Sequence, residues 1–351
     1  MTTRCAQTEK TATVLSSLNG AMHMLMSNDQ RMVVLGEDIL DPYGGAFKVT
    51  RGLSACYPDR VFGTPISEAA IVGLACGLAL RGFTPVAEIM FGDFLTLAAD
   101  QLVNHAAKFR WMYDDTVSVP MVVRTPMGGR RGYGPTHSQS LEKHFLGVPG
   151  LAVAAINHVA DPGELLSIAV QSAHAPVLFI ENKRLYAQER FTCLEGWTLE
   201  RLEDPSALFP TVVLRQRFSP VSDALLFCYG GMAPLCIEAV AALHEDEGLE
   251  CDLAVFSQLS PVPRAHLASL MNAGFPSLLV YAEESPVESG WGSEMIASIE
   301  EIRHSVPGAM LPAPRHVRIG AEASPIAACR ALESEQLPQT ATIVRTVVEC
   351  C

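Results

Sequence analysis

The amino-acid sequence predicts an α/β fold built on parallel sheets and divided into two domains. Three observations carry that prediction. Short apolar runs of strand length alternate with segments of helical periodicity. The 351 residues exceed what one ordinary core accommodates. The alternation lapses between about residues 188 and 220, where Glu, Arg and Pro collect. The expected division is a first domain over residues 1–190, a linker over 191–220 and a second domain over 221–351.

Residues 32–35, 85–90, 117–123 and 177–180 are predicted strands, their apolar character being that of strands buried on both faces. Between them, 68–81 is a predicted helix, with Ser67 as its N-cap and Gly82 just past its end. A second, longer helix is predicted over 94–110. The pair Asp161-Pro162, a cap followed by a proline in the first turn, begins a third. Beyond the linker the pattern predicts strands at 224–229, 251–256 and 278–283 and helices at 234–245 and 293–302. There is no internal repeat and no low-complexity tract.

Composition narrows the function classes. Hydrophobic residues make up 49% of the chain and charged ones only 18%, more apolar residues than a solvated monomer needs, which points to a subunit interface. A net charge of -13, spread along the chain, argues against nucleic acid, whose phosphates require clustered Lys and Arg. Of the ten cysteines, Cys76, Cys228 and Cys236 sit in apolar patterns where a free thiol packs as a small hydrophobe, and no CxxC pair occurs. The terminal pair Cys350-Cys351 reads as part of a frayed tail. Residues 1–10 are polar with no apolar stretch following, so no secretory signal is expected, and no apolar run has membrane-spanning length. The expectation is a reduced, soluble, cytoplasmic protein with no bound metal of its own.

Two local features invite chemistry. Glu68 opens a helix whose next twelve residues are almost wholly apolar, so the helix is buried all round or lies in an interface. A carboxylate there has a purely electrostatic reading, negative charge at the positive end of the helix dipole, beside a functional one. Gly73 and Gly77, four apart, allow another backbone to approach closely. His137 lies in the Gly-rich stretch Gly132-Tyr133-Gly134-Pro135-Thr136-His137-Ser138-Gln139-Ser140, where a solvent-exposed loop histidine and a binding residue are both open readings. The neighbouring Gly128-Gly129-Arg130-Arg131 reads either as an anion site or as a solvated turn.

The ordered segments Val34-Leu35-Gly36-Glu37-Asp38, then residues 44–53 (Gly44 through Leu53), then Arg60-Val61-Phe62-Gly63-Thr64-Pro65-Ile66-Ser67-Glu68 resemble one family. It is the β subunit of the thiamine-diphosphate-dependent decarboxylating component of 2-oxo acid dehydrogenase complexes, of pyruvate, branched-chain and acetoin type. The resemblance continues through Ala87-Glu88-Ile89-Met90-Phe91-Gly92-Asp93-Phe94, Asp100-Gln101-Leu102-Val103-Asn104, His137-Ser138-Gln139-Ser140 and Ile180-Glu181-Asn182-Lys183. It persists, more weakly, in Tyr229-Gly230-Gly231-Met232 and Gly290-Trp291-Gly292-Ser293-Glu294. The family implies a transketolase-like fold, a pyrimidine-binding domain plus a C-terminal domain, working with an α subunit as an α2β2 heterotetramer. The α subunit of the family carries a Gly-Asp-Gly motif and holds the diphosphate and Mg2+; this chain has no Gly-Asp-Gly.

By the same resemblance, Glu68 is the carboxyl that bonds N1′ of the cofactor's aminopyrimidine. Phe94 is the ring that stacks on the aminopyrimidine, with a core phenylalanine as its other reading. His137 lines the substrate entrance, and Glu37 is an acidic residue near the route linking the tetramer's two cofactors, a plain buried carboxylate being its alternative. Met90 stands beside the cofactor where complex-forming members commonly carry Gln. Ser257-Gln258-Leu259-Ser260-Pro261 replaces an Asp-Leu-Arg-type sequence, which removes an expected ion pair, and residues 323–328 replace a proline- and aromatic-rich segment. These departures put docking on a lipoyl acyltransferase in doubt and mark a divergent member. The leading expectation is oxidative decarboxylation of a 2-oxo acid with acyl transfer to lipoamide. The alternatives are an acyloin-forming carboligase and a catalytically silent partner or regulator.

Overall fold

The computed structural model describes residues 12–172, 174–216, 222–272, 276–305 and 313–351; the polar N-terminal stretch 1–10 lies outside them. The chain folds into two sheets flanked by helices. The first comprises β1 (Met32–Gly36), β2 (Val61–Gly63), β3 (Thr84–Glu88), β4 (Val122–Met127), β5 (Ala152–Ala155) and β6 (Val177–Asn182). The second comprises β7 (Trp197–Leu202), β8 (Thr211–Gln216), β9 (Ala224–Tyr229), β10 (Cys251–Phe256), β12 (Leu278–Pro286) and β13 (Arg315–Ala321), while β11 (Gln258–Ser260) crosses back to the first.

In the first sheet the order is β11-β5-β6-β4-β3-β1-β2 and every pairing is parallel except β11 with β5. β1, β4 and β6 are buried at every position, which accounts for the wholly apolar β1 and for the apolar runs that open β4 and β6 ahead of Arg124 and Glu181. The fourth strand begins at Val122 rather than at 117. Pro120 has no N–H for a ladder, and pairing starts where Val122 meets Val86 and Val177.

The expected helix at 68 forms as Glu68–Leu80. Ser67 precedes it, but its side chain makes no capping hydrogen bond. The expected helix over 94–110 is not one α-helix. Gly92–Ala98 is a 3-10 helix, Gln101–Ala106 is π-helical and Phe109–Met112 is a single α turn. Leu95, Ala98, Leu102 and Ala106 are all buried. Packing against the Glu68–Leu80 helix keeps these four on one face while the hydrogen-bond register changes beneath them.

The stretch 191–220 holds β7 and β8, an antiparallel pair that extends the second sheet through β10. β7 is exposed along most of its length, as an edge strand is, so its sequence carries no apolar run. Ser257 and Gln258, in place of an ion pair, satisfy the junction by neutral bonds. The Gln258 carboxamide oxygen accepts from Leu208 N–H (2.7 Å) and Phe209 N–H (3.1 Å), and Asn157 donates to Ser257 Oγ (3.1 Å). The C-terminal cysteines close the helix Thr340–Cys350, which docks Ile343 and Val347 against Ala233–Glu247 instead of fraying. Every described cysteine is free, and no helix among the described residues is long and apolar enough to cross a membrane.

Candidate active site

The carboxyl ends of β1, β3, β4 and β6 lie side by side, and the first three continue into residues expected at the site. That edge is where open parallel sheets bind ligands. Glu37 follows β1, Met90 and Phe94 follow β3, His137 lies in the loop after β4, and Asn182 ends β6 with Lys183 just beyond it. β1 and β3 run close together here: a Cβ at Gly36 would lie 2.7 Å from the Glu88 carbonyl oxygen.

Glu68 is buried at the first turn of its helix, and its carboxyl has no hydrogen-bond partner among the described residues. Glu37 is also buried, and its Oε1 is unpartnered. Burial first, then the charges of Glu68, Asp38 and Glu88, push its carboxyl up from 4.5 to about 7. The Glu68–Leu80 helix packs on the Gly92–Ala98 turn, which brings Glu68's element against that of Phe94. Phe94 and His137 are both half-buried and meet edge to face, ring centres 5.2 Å apart. Phe91 completes the contact, 5.0 Å from His137 and 6.4 Å from Phe94. His137 Nδ1 lies 3.0 Å from the Thr136 hydroxyl. Met90 is half-buried just beyond β3. The fold thus forms two groups along one edge, Glu37 with Glu68 and Phe94 with His137.

Behind them lies a buried ionic triad whose role sequence reading did not single out. Arg124 on β4 donates from Nε and Nη2 to both oxygens of Glu181 on β6 (2.7 and 2.8 Å) and from Nη1 to Glu88 on β3 (2.8 Å). Tyr186 Oη adds a bond to Glu181 (2.7 Å). Burial alone would lower the guanidinium's affinity for its proton; Glu181 and Glu88 more than offset it, so Arg124 stays charged. Burial pushes Glu88 up, which lets one proton bring two carboxylates and one guanidinium toward neutrality. The available signal was an arginine placed directly after the apolar run Met121-Val122-Val123.

The Gly128–Arg131 turn does bind anions, but they are the protein's own. Gly129 N–H donates to Glu284 (2.6 Å), and the N–H groups of Arg130 and Gly132 donate to Glu333 (2.7 and 2.9 Å). The loop that carries His137 is therefore fastened to the second domain. Beneath that loop, Lys183 is wholly buried and donates to the His137 carbonyl (2.5 Å).

The sheet, flanked by helices and parallel but for β11, is the pyrimidine-binding domain of transketolase type: the family model for the transketolase pyrimidine-binding domain matches residues 10–189. The mitochondrial pyruvate dehydrogenase E1 component subunit beta-1 of Arabidopsis thaliana is 34% identical over 97% of this chain and 90% of its own. The acetoin:2,6-dichlorophenolindophenol oxidoreductase subunit beta of Cupriavidus necator is 35% identical over 77% and 78%, respectively. The 3-methyl-2-oxobutanoate dehydrogenase subunit beta of Mycobacterium tuberculosis is 31% identical over 82% and 79%. A solved split-gene transketolase, an inactive β4 tetramer, superposes with a TM-score of 0.70 at 20% identity over 97% of this chain and 98% of that one, a likeness of fold. This chain belongs to the family of β subunits of thiamine-diphosphate-dependent 2-oxo acid dehydrogenases, as the ordered motifs implied.

Proposed function

We propose that this chain acts with an α subunit, as an α2β2 heterotetramer, to decarboxylate a 2-oxo acid oxidatively and pass the acyl group to lipoamide. The observation that carries the reading is Glu68: a buried carboxyl without a hydrogen-bond partner among the described residues, set beside a second buried carboxyl, Glu37. An acid in that condition suits the ring nitrogen of an aminopyrimidine, and the half-exposed Phe94 suits its face. Bound thiamine diphosphate supplies the electron sink that decarboxylation requires.

In this reading Glu68 holds a proton at N1′ of the cofactor, Phe94 and Met90 exclude water from its ring, and Glu37 holds a proton within the field of Glu68. His137, oriented by Thr136 and Phe91, meets substrate at the entrance. The diphosphate and Mg2+ belong to the α subunit, a division supported by the absence of Gly-Asp-Gly from this sequence. An interface with that partner accounts for Ile66 and Trp111, which are 79% and 88% exposed, and for Leu74 and Leu97. The acceptor lipoamide would be carried by a lipoyl acyltransferase, and the free cysteines suit a reducing compartment such as the cytoplasm.

The test is reconstitution with the α subunit. Wild type should release CO2 from a 2-oxo acid and reduce lipoamide, and Glu68→Gln should assemble normally yet lose turnover by about a thousandfold. CO2 release with an acyloin accumulating and lipoamide left oxidised would replace the dehydrogenase reading by the carboligase one. Full activity of Glu68→Gln would remove Glu68 from the site.

A further inference from the structure

We propose that Lys183 is a positioning residue that sets the placement of His137. The inference rests on the role proposed above for His137, and on the surroundings of a lysine that ordinary packing does not explain. Lys183 is 0% exposed, among the largest fully buried side chains of the protein. A buried ammonium is costly unless it is paired, yet no carboxylate lies within 4.0 Å of Nζ among the described residues. Its direct partners are the His137 main-chain carbonyl, at 2.5 Å, and two aromatic faces, Phe91 at 5.2 Å and Tyr133 at 5.8 Å from Nζ to ring centre.

Each of those partners converges on the histidine. Phe91 meets the His137 ring at 5.0 Å and 77°, and also meets Tyr133, at 6.2 Å. A cation over the ring faces holds both aromatics in place, and the charge-assisted bond to the His137 carbonyl fixes the backbone between them. Lys183 itself is anchored at the end of β6. Its N–H donates to the Met127 carbonyl (3.0 Å), and its own carbonyl accepts from Arg131 (2.8 Å). One side chain therefore ties the end of β6 to the loop after β4 at the residue proposed to meet substrate.

The charges around Nζ set when that tie holds. Burial pulls the ammonium down from 10.5 to about 8, opposed by Asp93 from the Gly92–Ala98 turn, Glu284 from β12 and Glu333 from the Arg330–Gln336 helix, and aided by Arg131 in the loop. The other titratable groups at the cluster are His137 and Tyr133 themselves. Above about pH 8 the lysine loses its charge, and the attraction to both rings and to the carbonyl weakens together.

The experiment uses the assembled α/β complex and reads two quantities. One is the rate at which diethyl pyrocarbonate modifies His137, followed on its peptide by mass spectrometry without added cofactor or substrate. The other is the split between kcat and KM with a 2-oxo acid. In Lys183→Met, His137 modification should accelerate at least threefold, and kcat should fall at least tenfold with KM changed less than threefold. Lys183→Arg should restore both to within threefold of wild type and move the alkaline fall in kcat upward from about pH 8, because a guanidinium keeps its charge. Unchanged His137 reactivity in Lys183→Met, or an alkaline limb identical in wild type and Lys183→Arg, overturns the proposal. If Lys183→Met fails to assemble, His137 reactivity is compared between wild type and Lys183→Arg from pH 7 to 9. The ratio should climb through pH 8, and a constant ratio overturns the proposal. The reactivity measurement stands even if the complex proves inactive toward 2-oxo acids, so failure of the functional reading is separable from failure of this one.

Discussion

Phe94 and His137 stand edge to face with ring centres 5.2 Å apart and planes at 88°, although one follows β3 and the other lies in the loop after β4. Such a contact is worth on the order of 1 kcal/mol beyond the area it buries. Phe94→Leu keeps apolar bulk but removes the ring. The expected result is an approximately tenfold loss in thiamine diphosphate affinity, read by cofactor titration of the α/β complex, with faster chemical modification of His137. Unchanged affinity would make Phe94 a core residue.

What the sequence made legible was the part of the fold buried on both faces. β1, β9 and the first four residues of β6 are continuous apolar runs because parallel central strands expose no edge to water. β7 was hidden because an edge strand with the sequence Trp197-Thr198-Leu199-Glu200-Arg201-Leu202 need satisfy only one neighbour. β11 was hidden because three residues rich in polar groups find their partner, β5, about a hundred positions away. The 92–112 segment showed helical burial but not its changing hydrogen-bond register, which tertiary packing imposes. In the site, Glu68 stood out as an acid before an apolar helix. Lys183, Phe91 and Tyr133 acquire meaning only when two strand ends meet, and no local pattern encodes that meeting.

Glu142 predicts a pH dependence of stability. It is buried in the loop after β4 and accepts a hydrogen bond from Oη of Tyr229, the last residue of β9. Burial pushes its carboxyl up from 4.5 to about 7, opposed by that bond and assisted by Glu283 and Glu284. With the folded value above the unfolded one, its contribution is fully present below about pH 4.5. It declines as pH rises and is lost by about pH 7, because the unfolded chain gives up the proton first. Glu142→Gln keeps an acceptor for Tyr229 and cannot titrate. The variant should gain about 1 to 3 kcal/mol relative to wild type between pH 5 and pH 8. Thermal or denaturant unfolding at the two pH values checks this, and parallel pH slopes would refute it.

Gly36→Ala tests the close approach of β1 to β3. The new methyl would sit 2.7 Å from the Glu88 carbonyl oxygen, 3.1 Å from Glu88 Cβ and 3.2 Å from Ile39. Backbone on one side leaves little room to yield, so the strands must part, at a cost of about 1 to 3 kcal/mol. The displacement falls at Glu37 and Glu88, and turnover should drop with stability. A variant as stable and active as wild type would show that this edge tolerates expansion.

The Arg124 triad separates a buried ion pair that stabilises from one that is merely tolerated. Arg124→Met leaves Glu88 and Glu181 facing each other in a site closed to water, and should cost about 3 to 5 kcal/mol in unfolding free energy, since one partner's removal strands the other charges. Arg124→Lys keeps the charge but replaces a planar fork holding both Glu181 oxygens by a single ammonium, and should recover only part of that loss. The decisive variant is the triple Glu88→Gln, Arg124→Met, Glu181→Gln, which removes every charge together. If the triad stabilises the fold, the triple variant remains well below wild type. If its ions only offset their own desolvation, the triple variant returns to within about 1 kcal/mol of wild type while Arg124→Met alone does not. The second outcome is the one expected here, because burial already favours the protonated form of Glu88. The triad's value would then lie in fixing the register of β3, β4 and β6 beneath the site. Turnover of the refolded triple variant, reduced while its stability recovers, would show that directly.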